Sequence, residues 1–189
     1  MKSEISDLNF ENFPELLKEI NDPPKKLRLR GELPKEGNKL LAIVGTRKYS
    51  GYGREMCESI IAGLSGYPVT IISGLALGID SIAHRAALKS GLQTIAIPGS
   101  GISDSAIHPR AHVELAREII ENGGGLISEY PDEMKATLWS FPKRNRIMAG
   151  MCDATIVIEA TMKSGTLITS RLATEYNREG GCVPGPVTS

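Results

Sequence analysis

The sequence predicts a doubly wound α/β fold, a mostly parallel sheet with helices on both faces. Two observations predict it. From Leu40 onward, short β-branched apolar runs alternate with longer segments of helical period, the pattern of successive βαβ units. Each of those runs is nearly unbroken by polar residues, as strands covered on both faces require. A length of 189 residues fits one ordinary domain and is enough to bury a core without disulfide or metal staples.

Residues 1–39 read differently from the rest. Asp22-Pro23-Pro24, Pro34 and Gly37 interrupt the segment, and a mixed helical stretch runs from about Phe13 to Ile20, so a short lead-in packed on the main body is expected. Residues 40–189 then form the main domain. Its expected strands are Leu40–Val44, Val69–Ile72, Thr94–Ile97, Gly125–Ser128, Thr155–Ile158 and a last short one near Cys182-Val183. Between them fall helices over Arg54–Leu64, Ile79–Lys89, Pro109–Glu121, Arg144–Met151 and Leu167–Arg178. Gly66, Gly91 and Gly123 follow three of these as natural C-terminal stops. Right-handed crossovers complete the doubly wound sheet.

Composition narrows the function classes. With 22 Lys+Arg against 22 Asp+Glu the formal charge is zero, which excludes a uniformly basic surface for holding nucleic acid. Any polyanion has to be held in a local pocket. Aromatic residues make up only 5% of the chain, which argues against a platform of many stacked rings. Cys57, Cys152 and Cys182 share no metal-ligand spacing and read as reduced thiols, so no metal site is expected. The N-terminus lacks the positive-then-apolar pattern of a signal, and no apolar run approaches the roughly 20 residues of a membrane helix. A cytoplasmic protein with no membrane association is expected.

In an open parallel sheet, ligands bind beyond the carboxyl ends of the strands, so the residues just after each apolar run are informative. Here they are glycine-rich and small: Gly45-Thr46-Arg47 after the first run, Ser73-Gly74 after the second, Pro98-Gly99-Ser100-Gly101 after the third, and Glu159 to Thr166 after the fifth. Such loops can offer backbone N–H groups and helix N-termini to phosphate. None of them is GxGxxG or GxxxxGK[ST], so neither the usual dinucleotide fingerprint nor a P-loop is present. A second cluster, Phe141-Pro142-Lys143-Arg144-Asn145-Arg146, places three cations within four residues at the expected start of a helix, where guanidinium groups and a helix N-terminus both favour phosphate. Anchored by Phe141-Pro142 and an apolar continuation, these cations read as aimed at a site.

Catalytic constellations are weak. His84, His108 and His112 show no HExxH or similar spacing, and no Ser-His-Asp order or GxSxG elbow is present. Asp80, Glu129 and Glu159 fall at strand or helix ends, where a carboxylate can act as a base but more often caps a helix or pairs with an arginine.

The ordered stretches Ala42-Ile43-Val44-Gly45-Thr46-Arg47, Ile72 to Asp80 followed by Ala83-His84, Leu126-Ile127-Ser128-Glu129, Phe141 to Ile147, and Glu159-Ala160 with Ser164 to Thr169 resemble the DNA-processing protein A (DprA, also called Smf) family. The resemblance runs from about Phe13 to Gly185 and includes the lead-in Ile20 to Pro24 and Leu29-Arg30-Gly31. It implies an extended Rossmann-like domain that binds single-stranded DNA, dimerises and helps load a RecA-type recombinase in recombination and natural transformation. No enzymatic activity and no cofactor are implied. Carried onto this chain, Gly45, Thr46, Arg47, Ser73, Gly74, Lys143, Arg144, Asn145, Arg146, Ser164, Gly165 and Thr166 would grip the DNA backbone, with Tyr49 and Tyr52 the nearest base-stacking candidates. The chain departs from the family at Ile107 to His112, where a Tyr-Pro followed by Asn is common. It also reads as a minimal form, without the winged-helix and N-terminal helical domains of longer members.

Two other classes share these features. The architecture also resembles the lysine-decarboxylase-like (LOG) nucleotide phosphoribohydrolases, but their PGGxGTxxE motif reads Ala160-Thr161-Met162-Lys163-Ser164-Gly165-Thr166-Leu167 here, with no glutamate until Glu175. A nucleotide-binding sensor is the third; it predicts one saturable small ligand and no dependence on DNA length.

Overall fold

The computed structural model describes residues 4–161 and 164–185. Its strands in chain order are β1 (Ile5–Leu8), β2 (Leu27–Gly31), β3 (Lys39–Val44), β4 (Val69–Ser73), β5 (Gln93–Ala96), β6 (Gly125–Ser128), β7 (Ala154–Val157) and β8 (Glu179–Cys182). The helices are α1 (Glu15–Lys18), α2 (Gly51–Gly63), α3 (Ile79–Lys89), α4 (Val113–Glu121), α5 (Ser140–Met151) and α6 (Thr166–Glu175). All strands join one sheet in the order β1-β2-β6-β5-β4-β3-β7-β8. From β6 to β8 the pairing is parallel, with Leu41 opposite both Ile71 of β4 and Ala154 of β7. The fold is therefore the doubly wound, Rossmann-like sheet that the apolar runs predict.

Alternation along the strands divides the core in two, because successive side chains leave a strand on opposite faces. Ala42 and Val44 of β3, with Ile72, Ile95 and Ile127, pack against Leu17 of α1 and Ile147, Met148 and Met151 of α5. Ile43 and Ile71 face the other way, onto Cys57 and Ile61 of α2 and Ile79 and Ala83 of α3. Ala96 and Leu126 continue that second layer against Leu115 and Ile119 of α4.

The lead-in differs from the sequence expectation. It contributes two strands: β2 pairs antiparallel with β6, Leu29 opposite Ile127, and β1 pairs antiparallel with β2. The helical stretch expected around Phe13 to Ile20 shrinks to the single turn α1. Its residues Phe13, Leu17 and Ile20 are nonetheless core members, and Gly150 of α5 makes room for Ile20. α5 begins at Ser140, a turn before the expected Arg144, so the cation cluster sits inside the helix and not at its first residues.

The winding fixes where a ligand can lie. From β3 the chain proceeds through α2, β4, α3, β5 and α4 to β6, moving steadily to one side of β3; α5 then carries it back to β7 on the other side of β3. At the carboxyl ends of β3 and β7 the following loops diverge to opposite faces, and the crevice they leave is the topological switch point.

Candidate functional site

A cleft of about 330 Å³ opens at that switch point. Gly45, Thr46 and Arg47 from the β3–α2 loop, Arg144 and Asn145 from α5, and Ser164, Gly165 and Thr166 from the β7–α6 loop all line it. Phe141, Asp80, Ala76, Thr161 and Thr169 complete much of the wall. Met162 and Lys163 of the same loop lie outside the described residues.

Loop backbones interlock around the cleft. Thr46 N–H donates to Glu159 O across the switch point at 2.7 Å, and Ile79 N–H donates to Thr46 O at 3.2 Å. Gly78 makes the second contact possible: its φ is +84°, and a Cβ there would lie 2.4 Å from Thr46 O. Leu75 also holds a left-handed φ of 58°, rare for a branched residue. It is fully buried, and its carbonyl faces His112 Nδ1 at 2.8 Å, so the packing around it fixes that conformation.

The expected helix N-termini are not equally open. Ser50 caps α2 through Gly53 N–H, and the Glu159 carboxylate accepts from Ser50 N–H at 2.9 Å and from its hydroxyl at 3.0 Å. The protein's own carboxylate thus occupies the place an anion would take. At α6, Ser164 Oγ accepts from Thr166 N–H at 3.2 Å.

The cation cluster separates by function. Arg146 is a structural pair: it donates to Glu129 at 2.6 Å and lies 3.1 Å from Asp22, and it does not line the cleft. Lys143 is about half exposed, with its ammonium 3.7 Å from Glu129, also outside the cleft. Asn145 donates to Gly165 O at 3.3 Å and ties α5 to the start of α6. Arg144 is different. It is buried, donates to Ile97 O, and among the described residues forms no salt bridge; its Nε has no partner. Burial pulls its pKa below the ordinary arginine value, with Asp80 pulling the other way, while burial pushes the Asp80 carboxyl up against the pull of Arg144. Gly74 lies under the guanidinium, where a Cβ would be 2.0 Å from Nη1. Ser73 spends its hydroxyl on Ile43 O at 2.7 Å, so it positions β4 and has no direct place in the cleft.

Arg47 is exposed and stacks over Phe141, its guanidinium carbon 5.2 Å from the ring centre. Phe141 and Asp80 were not among the sequence-derived site residues. Helical spacing would have supplied Phe141, which lies three and four residues before Arg144 and Asn145 on the same face. Of the expected stackers, Tyr52 donates its hydroxyl to Pro184 O at 3.1 Å, and neither it nor Tyr49 lines the cleft.

The sequence profile of the family described as DNA recombination-mediator protein A matches residues 5–189. Protein Smf of Escherichia coli is 41% identical over 94% of this chain and 47% of its own length. DNA processing protein DprA of Bacillus subtilis is 37% identical, covering 94% of this chain and 59% of its own. The chain thus spans about half the length of the curated relatives it matches. Among solved structures, DprA of Streptococcus pneumoniae superposes with a TM-score of 0.87 at 36% identity, over 98% of this chain and 65% of that one. DNA processing protein A of Helicobacter pylori, solved to describe its single-stranded DNA binding mode, gives 0.86 at 31% identity, over 100% and 86%. The molybdenum cofactor binding protein of Rippkaea orientalis shares the fold alone, at 13% identity and a TM-score of 0.58. Motifs, winding and superposition agree, and the chain belongs to the DNA recombination-mediator protein A family, whose relatives carry the names DprA and Smf.

Proposed function

We propose that this chain binds single-stranded DNA by its phosphate backbone in the switch-point cleft. The observation that carries the reading is Arg144, a buried guanidinium on the cleft wall that forms no salt bridge among the described residues. Asp80 compensates this buried charge only in part, and an anion entering the cleft offsets the remaining cost. Arg47 and the Gly45–Arg47 and Ser164–Thr166 loops supply further donors on either side. The binding mode named for the Helicobacter pylori relative supports the same choice of ligand.

The role is that of a binding protein and not an enzyme. Each carboxylate singled out in the sequence already has a partner: Glu129 holds Arg146, Glu159 caps α2, and Asp80 accepts from Ala76 N–H at 3.4 Å. Membership of a family of recombination mediators extends the proposal to delivery of the bound strand to a RecA-type recombinase by a cytoplasmic homodimer. Among the described residues no helix is long and apolar enough to cross a membrane.

Fluorescence anisotropy of a labelled oligothymidine tests the reading. Wild type should bind it, prefer it to a duplex of equal length, and weaken by about tenfold on Arg47→Ala, an exposed position whose loss leaves the core intact. Equal affinity for duplex, or no change on Arg47→Ala, would overturn it. The size of the cleft and the presence of Asp80 in its wall favour, as a second reading, a single nucleotide as ligand. Thymidine monophosphate that displaces the oligomer at equal concentration of sites would select that reading.

A further inference from the structure

The approach to α5 leaves a large apolar pair in solvent: Leu138 is 91% exposed and Trp139, the chain's only tryptophan, is 57% exposed. Neither residue lines the cleft, so the site described above does not account for them. The indole is nevertheless held in place. It stands edge-on to Tyr130, with ring centres 5.7 Å apart and planes at 79°. Tyr130 is itself buried and donates its hydroxyl to Ser140 O at 3.1 Å. An aromatic side chain more than half open to solvent, yet braced on a rigid neighbour, is pre-ordered for stacking.

Spacing along α5 relates this position to the cleft. Phe141, Arg144, Asn145 and Met148 form one stripe, and all four line the cleft. Trp139 and Lys143, four residues apart, stand on the other side of the helix, toward Tyr130 and Glu129 at the end of β6; Lys143 N–H donates to Trp139 O at 3.4 Å. The Lys143 side chain is 47% exposed, and its only ionic partner among the described residues is Glu129 at the loose distance of 3.7 Å. An exposed indole one helical turn from a half-exposed ammonium offers its face to an unpaired base and its charge to the neighbouring phosphate. A duplex cannot use it, because its bases stay in the stack.

We infer that Trp139 and Lys143 form a second nucleotide subsite, which stacks a base of the strand whose backbone occupies the cleft. This rests on the single-strand reading above. Both residues lie at the N-terminal half of α5, so a strand leaving the cleft reaches the indole by rounding a helix about 10 Å across, and the charge of Lys143 commits the surface to nucleic acid.

Because Trp139 is the sole tryptophan, its own emission reports the contact. Oligothymidines of about three and about twelve nucleotides would be titrated into wild type, Trp139→Ala and Trp139→Phe, following both intrinsic emission and the anisotropy of a labelled strand. Near saturation, the longer strand should quench wild-type emission and the shorter should leave it largely unchanged. Trp139→Ala should lose about tenfold in affinity for the longer strand, and Trp139→Phe should recover most of that loss. Unquenched emission with the longer strand bound, or equal affinity of wild type and Trp139→Ala for it, would overturn the subsite and leave the cleft reading standing. If wild type captures neither strand by anisotropy, the cleft reading fails and the subsite with it.

Discussion

At the scale of single residues, burial around the cleft shifts titratable groups away from their ordinary values. His84 shows this most clearly. It is fully buried in α3, with Nδ1 2.7 Å from Thr94 Oγ1. Burial, reinforced by His112 and Arg144, depresses its pKa from 6.5 to about 3. The neutral ring is therefore favoured in the folded chain, while the unfolded chain takes up a proton below about pH 6.5. Stability contributed by His84 is fully present above that value and drains away as pH falls toward about 3. Between about pH 7.5 and about pH 5 the expected loss is about 2 kcal/mol, measurable by urea unfolding at the two values. His84→Asn should lower stability overall but remove this step, because the substituted side chain does not titrate. An unchanged pH dependence in that variant would place the titration elsewhere.

At the scale of elements, the lead-in behaves as part of the core. Leu17 of α1 is fully buried against α5, and Arg178 donates from the far end of the chain to Leu16 O at 2.7 Å. Leu17→Ala should cost about 2–5 kcal/mol and shift a single unfolding transition. Loss of a separate, early transition with the main one unmoved would show that the segment folds apart from the sheet. These contacts explain what the sequence disclosed and what it hid. The strands from β3 to β7 were legible because both faces are covered, so each reads as an unbroken apolar run. β2 reads Leu27-Arg28-Leu29-Arg30, apolar and basic in alternation, and its arginines look solvated until their partners are known. Those partners are remote: Arg28 bonds Asp132, and Arg30, nearly buried, bonds Asp104 at 2.5 Å and Ile102 O at 3.1 Å. The early start of α5 was hidden because Trp139, preceding it, supplies no capping side chain. Pro142 was the available clue, since proline is tolerated in a first helical turn, where its missing N–H would have had no partner. The cleft residues were legible as small residues after strands, but which cations face it depends on helical phase. One hundred degrees of rotation turns Lys143 away from the cleft that Arg144 lines, and two hundred turns Arg146 away.

At the scale of the whole molecule, zero formal charge and local pairing restrict how any strand is held. Arg146 is neutralised by Glu129 and Asp22, Arg28 by Asp7 and Asp132, and Arg117 by Asp104 and Glu114, so these basic residues add little to a general attraction. Among the described residues, Arg47 and Arg144 at the cleft and Lys143 at the proposed subsite are the cations proposed to meet phosphate. Each phosphate neutralised on a single strand contributes about −0.7 to the slope of log affinity against log salt, so these groups together predict a slope of about −2. A base stacked on Trp139 adds affinity without steepening it, because stacking releases no counterions. Lengthening the strand from the cleft across the indole should therefore raise affinity at every salt concentration while changing the slope by no more than the share of Lys143, about −0.7. Anisotropy titrations from about 50 to about 300 mM salt measure both quantities. A slope steeper than about −4 would mean that the wider surface takes part, and a flat response would remove phosphate from the account altogether. At the expected slope Arg47→Ala separates the contributions, since it should make the slope shallower by about 0.7 and leave the gain with strand length intact.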